Sequence, residues 1–189
     1  MKKIIKKLIL ILSPILKFML NIFFDKKYLT GRYFNNDLSG YLWAFKSIWV
    51  KNILKLAQPV SFPTALTCVV TNANNIHFHP DDLNNFQSPG TYFQNFLGHI
   101  YIGKGSYIAP NVGIITANHN IENLDAHTEG KDVIIGEKCW IGMNSVILPG
   151  VELGEKTIVA AGAVVTKSFP QGNVVLAGVP ARVIKEIKG

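Results

Sequence analysis

The chain has 189 residues, enough for one domain with a modest appendage, and 48% hydrophobic with 16% charged content excludes a disordered chain. Two cysteines, Cys68 and Cys139, supply no disulfide framework and fit a reducing compartment. The net charge of +7 is unevenly placed: residues 1–57 carry eleven Lys and Arg against Asp25 and Asp37, a balance of +9, while residues 58–189 carry eight against ten, a balance of −2. The body thus lacks the basic stripe that binds nucleic acid, and no nucleic-acid partner is expected.

The first element is "MKKIIKKLILILSPILKFMLNIFF". A spanning helix needs about 20 apolar residues with few charges, and Lys17 and Asn21 interrupt the run. No small-residue cleavage site follows, which argues against a signal peptide. At 100° per residue, Lys2, Lys3, Lys6, Lys7, Ser13, Pro14, Lys17 and Asn21 share roughly 140° of arc. Ile4, Ile5, Leu8, Ile11, Leu12, Ile15, Leu16, Phe18, Met19, Ile22 and Phe23 cover the remainder, with Leu10, Leu20 and Phe24 straying into the polar sector. A lysine face beside a wide apolar face predicts a helix over residues 1–24 lying in the interface of an anionic, cytoplasmic leaflet. A helix packed on its own protein, or a single span, is the alternative. The segment 38–57, with Tyr41, Trp43, Trp49, Lys46, Lys51 and Lys55, suits the headgroup level and the capping of an open core end equally well. Residues 1–57 read together as a helical, basic, membrane-facing appendage of a cytoplasmic, peripheral protein.

From residue 100 the sequence falls into hexads. Every sixth position gives Ile102, Ile108 and Ile114, then, after an interruption, Ile135, Ile141, Ile147, Leu153, Val159 and Val165. The next residue is usually small (Gly103, Ala109, Gly136, Gly142, Gly154, Ala160), and so are most residues four places on (Ser106, Val112, Cys139, Ser145, Val151, Thr157, Ala163). Such a period predicts a coil of short parallel strands with an aliphatic residue inside each flat side and a small one at each corner. Cys139 is then an inward filler rather than a nucleophile.

The stretch "VIIGEKCWIGMNSVILPGVELGEKTIVAAGAVVTKSFPQGNVVLAGVPARVIKEI" resembles the C-terminal half of the hexapeptide-repeat acyltransferases. With "KYLTGRYF" and "NNFQSPGTYFQNF", the chain is similar to the sugar O-acetyltransferases of surface-polysaccharide biosynthesis. The resemblance implies an all-β fold, a left-handed parallel β-helix over 58–180, with the N-terminal appendage and a short C-terminal helix over 181–189. It also implies a homotrimer and acetyl-CoA as cosubstrate.

Ile114 and Ile135 stand 21 residues apart, three more than one full turn of three hexads, so a loop over 117–132 is expected to leave the coil. The resembling enzymes place their catalytic histidine at the start of this loop, and His119 in "TANHN" is the matching residue. A neutral imidazole within hydrogen-bond reach can take the proton of a sugar hydroxyl as its oxygen attacks a thioester, an assistance worth about 10²–10⁴-fold. Glu122, Asp125 or a backbone carbonyl would orient it; His127 reads as structural or substrate-facing. For the oxyanion the resemblance points to a backbone N–H near "WIGMN", at Gly142 or Met143. It points to Tyr92, Gln94 and Asn95 for the acceptor, with a polar ladder in the first coil as the alternative. Ala160 and Thr166 would line the pantetheine path, and Lys167, Arg182 and Lys185 would face the phosphates.

His77, His79 and Asp81 in "HFHPDD" lack a second cluster at ligand spacing, so no metal is expected and loop packing is the default. The expected function is acetyl-CoA-dependent O-acetylation of a saccharide, on a lipid-linked or surface-glycan precursor. An N-acetyltransferase of an amino sugar is the alternative on the same scaffold. A γ-carbonic-anhydrase-like metal lyase is a further one, needing His99, His119 and His127 to converge.

Overall fold

The computed structural model describes the backbone of residues 2–187 and the side chains of residues 9–187. The predicted lysine face at Lys2, Lys3, Lys6 and Lys7, and Ile4, Ile5 and Leu8 beside it, lie outside the described side chains. The chain divides into two compact units between Leu66 and Thr67.

In the first unit, α1 (Lys2–Leu20) carries Pro14 without breaking. Two residues that stray from the apolar face, Leu20 and Phe24, are the buried ones, while Ile11, Ile15, Phe18, Met19 and Ile22 stay exposed. The helix end therefore packs through its narrow sector and leaves its broad apolar face open. After α2 (Arg32–Asn35), α3 (Ser39–Ser47) continues as wider π turns over Ile48–Ile53. The rings pack edge to face, Phe34 on Tyr41 and Tyr28 on Phe62, each pair with centroids 5.0 Å apart. A Cβ on Gly40 would lie 2.7 Å from the Phe34 ring, so only glycine lets that ring seat.

The boundary expected after residue 57 falls instead after Leu66. Phe62 is fully buried, Asp25 donates its backbone N–H to Ser61, and the buried Lys51 donates to Thr64 Oγ1 at 2.6 Å. Residues 58–66 thus complete the helical unit's own core. No helix of the described residues is long and apolar enough to cross a membrane.

The second unit is a left-handed parallel β-helix with three flat sides. One side stacks β1 (Val69–Val70), β3 (Tyr92–Gln94), β6 (Gly113–Ile115), β9 (Val146–Ile147) and β12 (Val164–Val165). The next stacks β2 (Ile76–His77), β4 (Ile100–Ile102), β7 (Val133–Ile135) and β10 (Glu152–Leu153). The third stacks β5 (Tyr107–Ile108), β8 (Trp140–Ile141), β11 (Ile158–Val159), β13 (Val174–Gly178) and β14 (Ala181–Glu186).

Register follows the hexads. Phe93, Ile114, Ile147 and Val165 lie over one another; so do Ile102, Ile135 and Leu153, and Ile108, Ile141, Val159 and Leu176. All are buried, each worth on the order of 1.5–3 kcal/mol of apolar burial. The seven small corner residues are buried too, and their hydroxyls bond backbone carbonyls: Ser106 to Gly136, Ser145 to Gly142, Thr157 to Gly154. Cys139 donates its thiol to Gly154 O at 3.2 Å, and burial pushes that thiol up from its ordinary pKa. Gly136 is required by close approach, since a Cβ there would meet the backbone nitrogen of Glu155 at 2.7 Å. Other corners need a left-handed residue, supplied by Asn111, Asn144 and Gly162 at φ of 59°, 59° and 71°.

Two expectations are corrected here. Residues 181–186 form not a helix but β14, antiparallel to β13. The open edge of β13 presents unpaired backbone groups, and the β-branched Val183 and Ile184 suit a ladder better than a helix. The loop keeps its expected bounds, but the coil is interrupted by more than the three extra residues counted against a full turn. Ile114 and Ile135 lie on adjacent sides, a step that takes six residues from Ile108 to Ile114, so a distance of 21 leaves fifteen for the excursion.

Candidate active site

The loop leaves the coil at Thr116 and Ala117, both buried, and its neck is heavily bonded. Lys131 N donates to Thr116 O at 2.8 Å, and Gly98 N reaches Thr116 Oγ1 at 3.3 Å. Gln94 clamps the departure point: its Oε1 accepts from Thr116 N and Ala117 N, both at 3.1 Å, and its Nε2 donates to Ala117 O at 2.9 Å. Beyond the neck the loop folds back on itself. Thr128 N donates to Asn118 O at 2.8 Å and Asn120 N to Ala126 O at 2.9 Å. Asn120 Oδ1 accepts from Glu122 N, and Asn123 Oδ1 from Asp125 N, so the asparagines of "NIEN" close tight local turns.

His119 stands on the first strand of this hairpin and is exposed. Its Nδ1 lies 2.7 Å from Leu124 O. A carbonyl oxygen only accepts, so Nδ1 carries the proton and the neutral ring keeps its lone pair on Nε2. The Leu124 carbonyl, and not the Glu122 or Asp125 carboxylate, is the hydrogen-bond partner that orients the ring among the described residues. His127, paired with His119 across the hairpin, packs against it with centroids 4.4 Å apart and ring planes tilted by 34°, and meets Phe96 edge-on at 5.0 Å. A cleft of about 330 Å³ at the loop base is lined by Asn118, Thr128, Glu129, Lys131 and Pro149. The arrangement presents a fixed, solvent-facing nitrogen base on a rigid scaffold.

Sequence reasoning did not identify the Leu124 carbonyl as the partner or the Phe96 shelf. A carbonyl leaves no trace in side-chain chemistry, although the Asn-rich turn that aims it does.

Several expected site residues are placed differently. Asn95 is fully buried, accepting at Oδ1 from Thr71 Oγ1 and Asn72 N, both at 3.0 Å, and donating from Nδ2 to Asn72 O at 2.6 Å. It belongs to the polar ladder of the first coil and does not face an acceptor; Gln94 is held likewise on the loop neck, and Tyr92 alone of the three is exposed. Gly142 N donates to Val159 O at 2.8 Å within the ladder and offers no oxyanion donor. Met143 is exposed, and its N–H has no backbone partner among the described residues. Ala160 N is likewise bonded, to Leu176 O at 2.8 Å. Thr166 and Lys167 follow β12 on the surface, with Lys167 Nζ 5.6 Å from the Phe169 ring centroid; Arg182 and Lys185 are exposed on β14, a strand and not a helix.

His79 Nδ1 caps the turn at Pro80–Gln87 by accepting from Asp81 N at 3.1 Å, and His77 Nε2 lies 2.9 Å from His99 Nδ1. Among the described residues no three His, Cys, Asp or Glu side chains are grouped to hold a metal.

Residues 132–167 match the family model described as bacterial transferase hexapeptide (six repeats). The match falls on β7 to β12 of the coil. Galactoside O-acetyltransferase of Escherichia coli is 41% identical over 92 residues, covering 47% of this chain and 44% of that protein. The enzyme of the same name from Lactococcus lactis is 38% identical over 92 residues, with 47% and 44% covered. The chain thus spans about half the length of the curated relatives it matches. Among solved structures, a maltose O-acetyltransferase from Clostridium difficile is 32% identical, with 61% of this chain and 65% of that chain covered at a TM-score of 0.48.

Proposed function

We propose that this protein is an acetyl-CoA-dependent O-acetyltransferase acting on a saccharide, with His119 as general base. The observation that carries the reading is the hydrogen bond from His119 Nδ1 to Leu124 O, which leaves Nε2 as the proton acceptor. The sugar hydroxyl gives its proton to Nε2 as its oxygen attacks the thioester carbonyl; the collapse of the tetrahedral adduct expels the CoA thiolate, which the imidazolium protonates. The N–H of Met143, which has no backbone partner among the described residues, is the donor proposed for the oxyanion. The name of the Escherichia coli relative supports a sugar hydroxyl as acceptor, in preference to an amine. Tyr92 remains the acceptor-facing residue of the first coils. Thr166, Lys167, Arg182 and Lys185 are assigned to acetyl-CoA, the cations to its phosphates, with Ala160 beside the pantetheine.

The active form is proposed to be a homotrimer. In support, the outer face of the third side carries a ladder of Tyr107, Trp140, Ile158 and Val175, and Trp140 is 55% exposed. A face so apolar suits a subunit interface. The helical unit is proposed to rest on the inner face of the cell membrane through Ile11, Ile15, Phe18 and Ile22, bringing the enzyme to a lipid-linked or surface-glycan acceptor.

Release of free thiol from acetyl-CoA, measured against a panel of neutral and amino sugars with mass spectrometry of the product, tests the reading. An O-acetyl ester on a neutral sugar is the expected product; an amide confined to amino sugars would move the assignment to N-acetylation. Removing residues 1–24 is expected to release the protein from anionic liposomes.

A further inference from the structure

The first unit holds a second feature with its own chemistry. Between α1 and the turn after it lies a cleft of about 370 Å³, lined by Pro14, Lys17, Phe18, Asn21, Lys26, Leu29 and Thr30. Its walls are apolar, Phe18 exposed at the rim and Leu29 buried at the floor, while two ammonium groups and an amide border it. No carboxylate lines it. Lys17 donates to the neutral Asn35 Oδ1 at 2.9 Å and forms no ion pair with a carboxylate among the described residues; nor does Lys26.

A partly buried cation without a counter-charge is unfavourable, because lost hydration is only weakly replaced by a neutral amide. Consistent with this, burial lowers the Lys17 pKa from its ordinary value. A phosphate oxygen would restore the missing charge and accept from both lysines and from Asn21 Nδ2. The exposed apolar Ile15 and Phe18 of α1, and Ile22 of the turn after it, neighbour Lys17 and Asn21 in the chain.

We infer that this cleft binds the phosphate headgroup of an anionic lipid, with Lys17, Lys26 and Asn21 on the phosphate and the acyl chain along Phe18. The inference rests on the membrane reading of this unit and sharpens it from general attraction to a defined subsite. The charge complementarity selects a phosphate, and the apolar walls select a lipid over the free ion.

The test uses the full chain and three probes: water-soluble dihexanoyl phosphatidate, inorganic phosphate, and phosphatidylcholine vesicles with or without phosphatidylglycerol. Lys17→Gln/Lys26→Gln is compared with the charge-matched Lys27→Gln/Lys46→Gln, and Lys26→Gln alone, at an exposed position, guards against misfolding. The cleft pair is expected to lose about tenfold or more in phosphatidate affinity, and the control pair less than about threefold. Phosphatidate should bind more tightly than phosphate. Equal losses in both pairs would reduce the cleft to general charge attraction and overturn the site. Equal affinity for phosphate and phosphatidate would overturn the lipid assignment. Wild-type protein that binds phosphatidate through the cleft but ignores phosphatidylglycerol vesicles would sink the membrane reading and leave the subsite standing. Vesicle binding unaffected by either cleft variant would do the reverse.

Discussion

Gln94 was expected to face the acceptor and instead grips the root of the loop, which makes Gln94→Leu a sharp test of the site's construction. The substitution removes all three side-chain hydrogen bonds to residues 116 and 117. Thr116 N keeps its ladder bond to Gln94 O at 3.0 Å, but Ala117 N and Ala117 O, on a residue only 1% exposed, lose these partners. Each buried group left unsatisfied costs about 1–3 kcal/mol, so the two together destabilise the neck by about 2–6 kcal/mol. If the loss is local, amide exchange at Ala117 accelerates at least roughly 30-fold, and up to about 10⁴-fold, while the core strands keep their protection. With His119 two residues further on, kcat is expected to fall and the saccharide KM to stay nearly constant. Hydrogen exchange with steady-state kinetics decides the matter. Unchanged exchange at Ala117 together with a raised saccharide KM would refute the clamp and return Gln94 to acceptor binding.

Three further outcomes follow from the geometry. Ile147→Ala, at a fully buried position stacked between Ile114 and Val165, should cost about 2–5 kcal/mol in a chemical-denaturation titration. His127→Phe should preserve the ring packed beside His119 and most of kcat, whereas His127→Ala should lower kcat more than KM; equal losses in both would make His127 itself chemical. Cys139, with its thiol pKa raised by burial, should resist alkylation in the folded protein at neutral pH and react once the chain is unfolded.

The β-helix was legible because one signal is repeated many times. Each inward position is aliphatic, each corner small, and neither depends on distant context, so Ile102 to Val165 could be assigned from spacing alone. The bounds of the excursion, 117–132, were legible, but its register was not, for a reason in the same signal. A six-residue period gives the phase within one side but not which side comes next, and Ile135 was measured against a full turn when it stands on the neighbouring side. The end of the chain was misread because the demand for β14 comes from the open edge of β13 and not from residues 181–186 themselves.

At the candidate site, the break in the repeat and the family resemblance together singled out His119, which lies exposed on the loop hairpin. The fate of nearby polar side chains could not be read, since an amide that seals a coil and one that greets a ligand look alike in sequence. Asn95, fully buried on Thr71 and Asn72, shows the first kind. Gly142 shows the parallel limit for the backbone: its N–H belongs to the ladder that the period itself implies.

The central claim is that the Nε2 of His119 takes the proton of the attacking hydroxyl. It is tested most directly by the turnover of acetyl-CoA with an accepted saccharide in His119→Ala, beside a thermal melt to confirm that the coil is intact. Loss of about 10²–10⁴-fold in kcat with an unchanged melting temperature is the predicted result. A folded His119→Ala protein that turns over within a fewfold of wild type would contradict it.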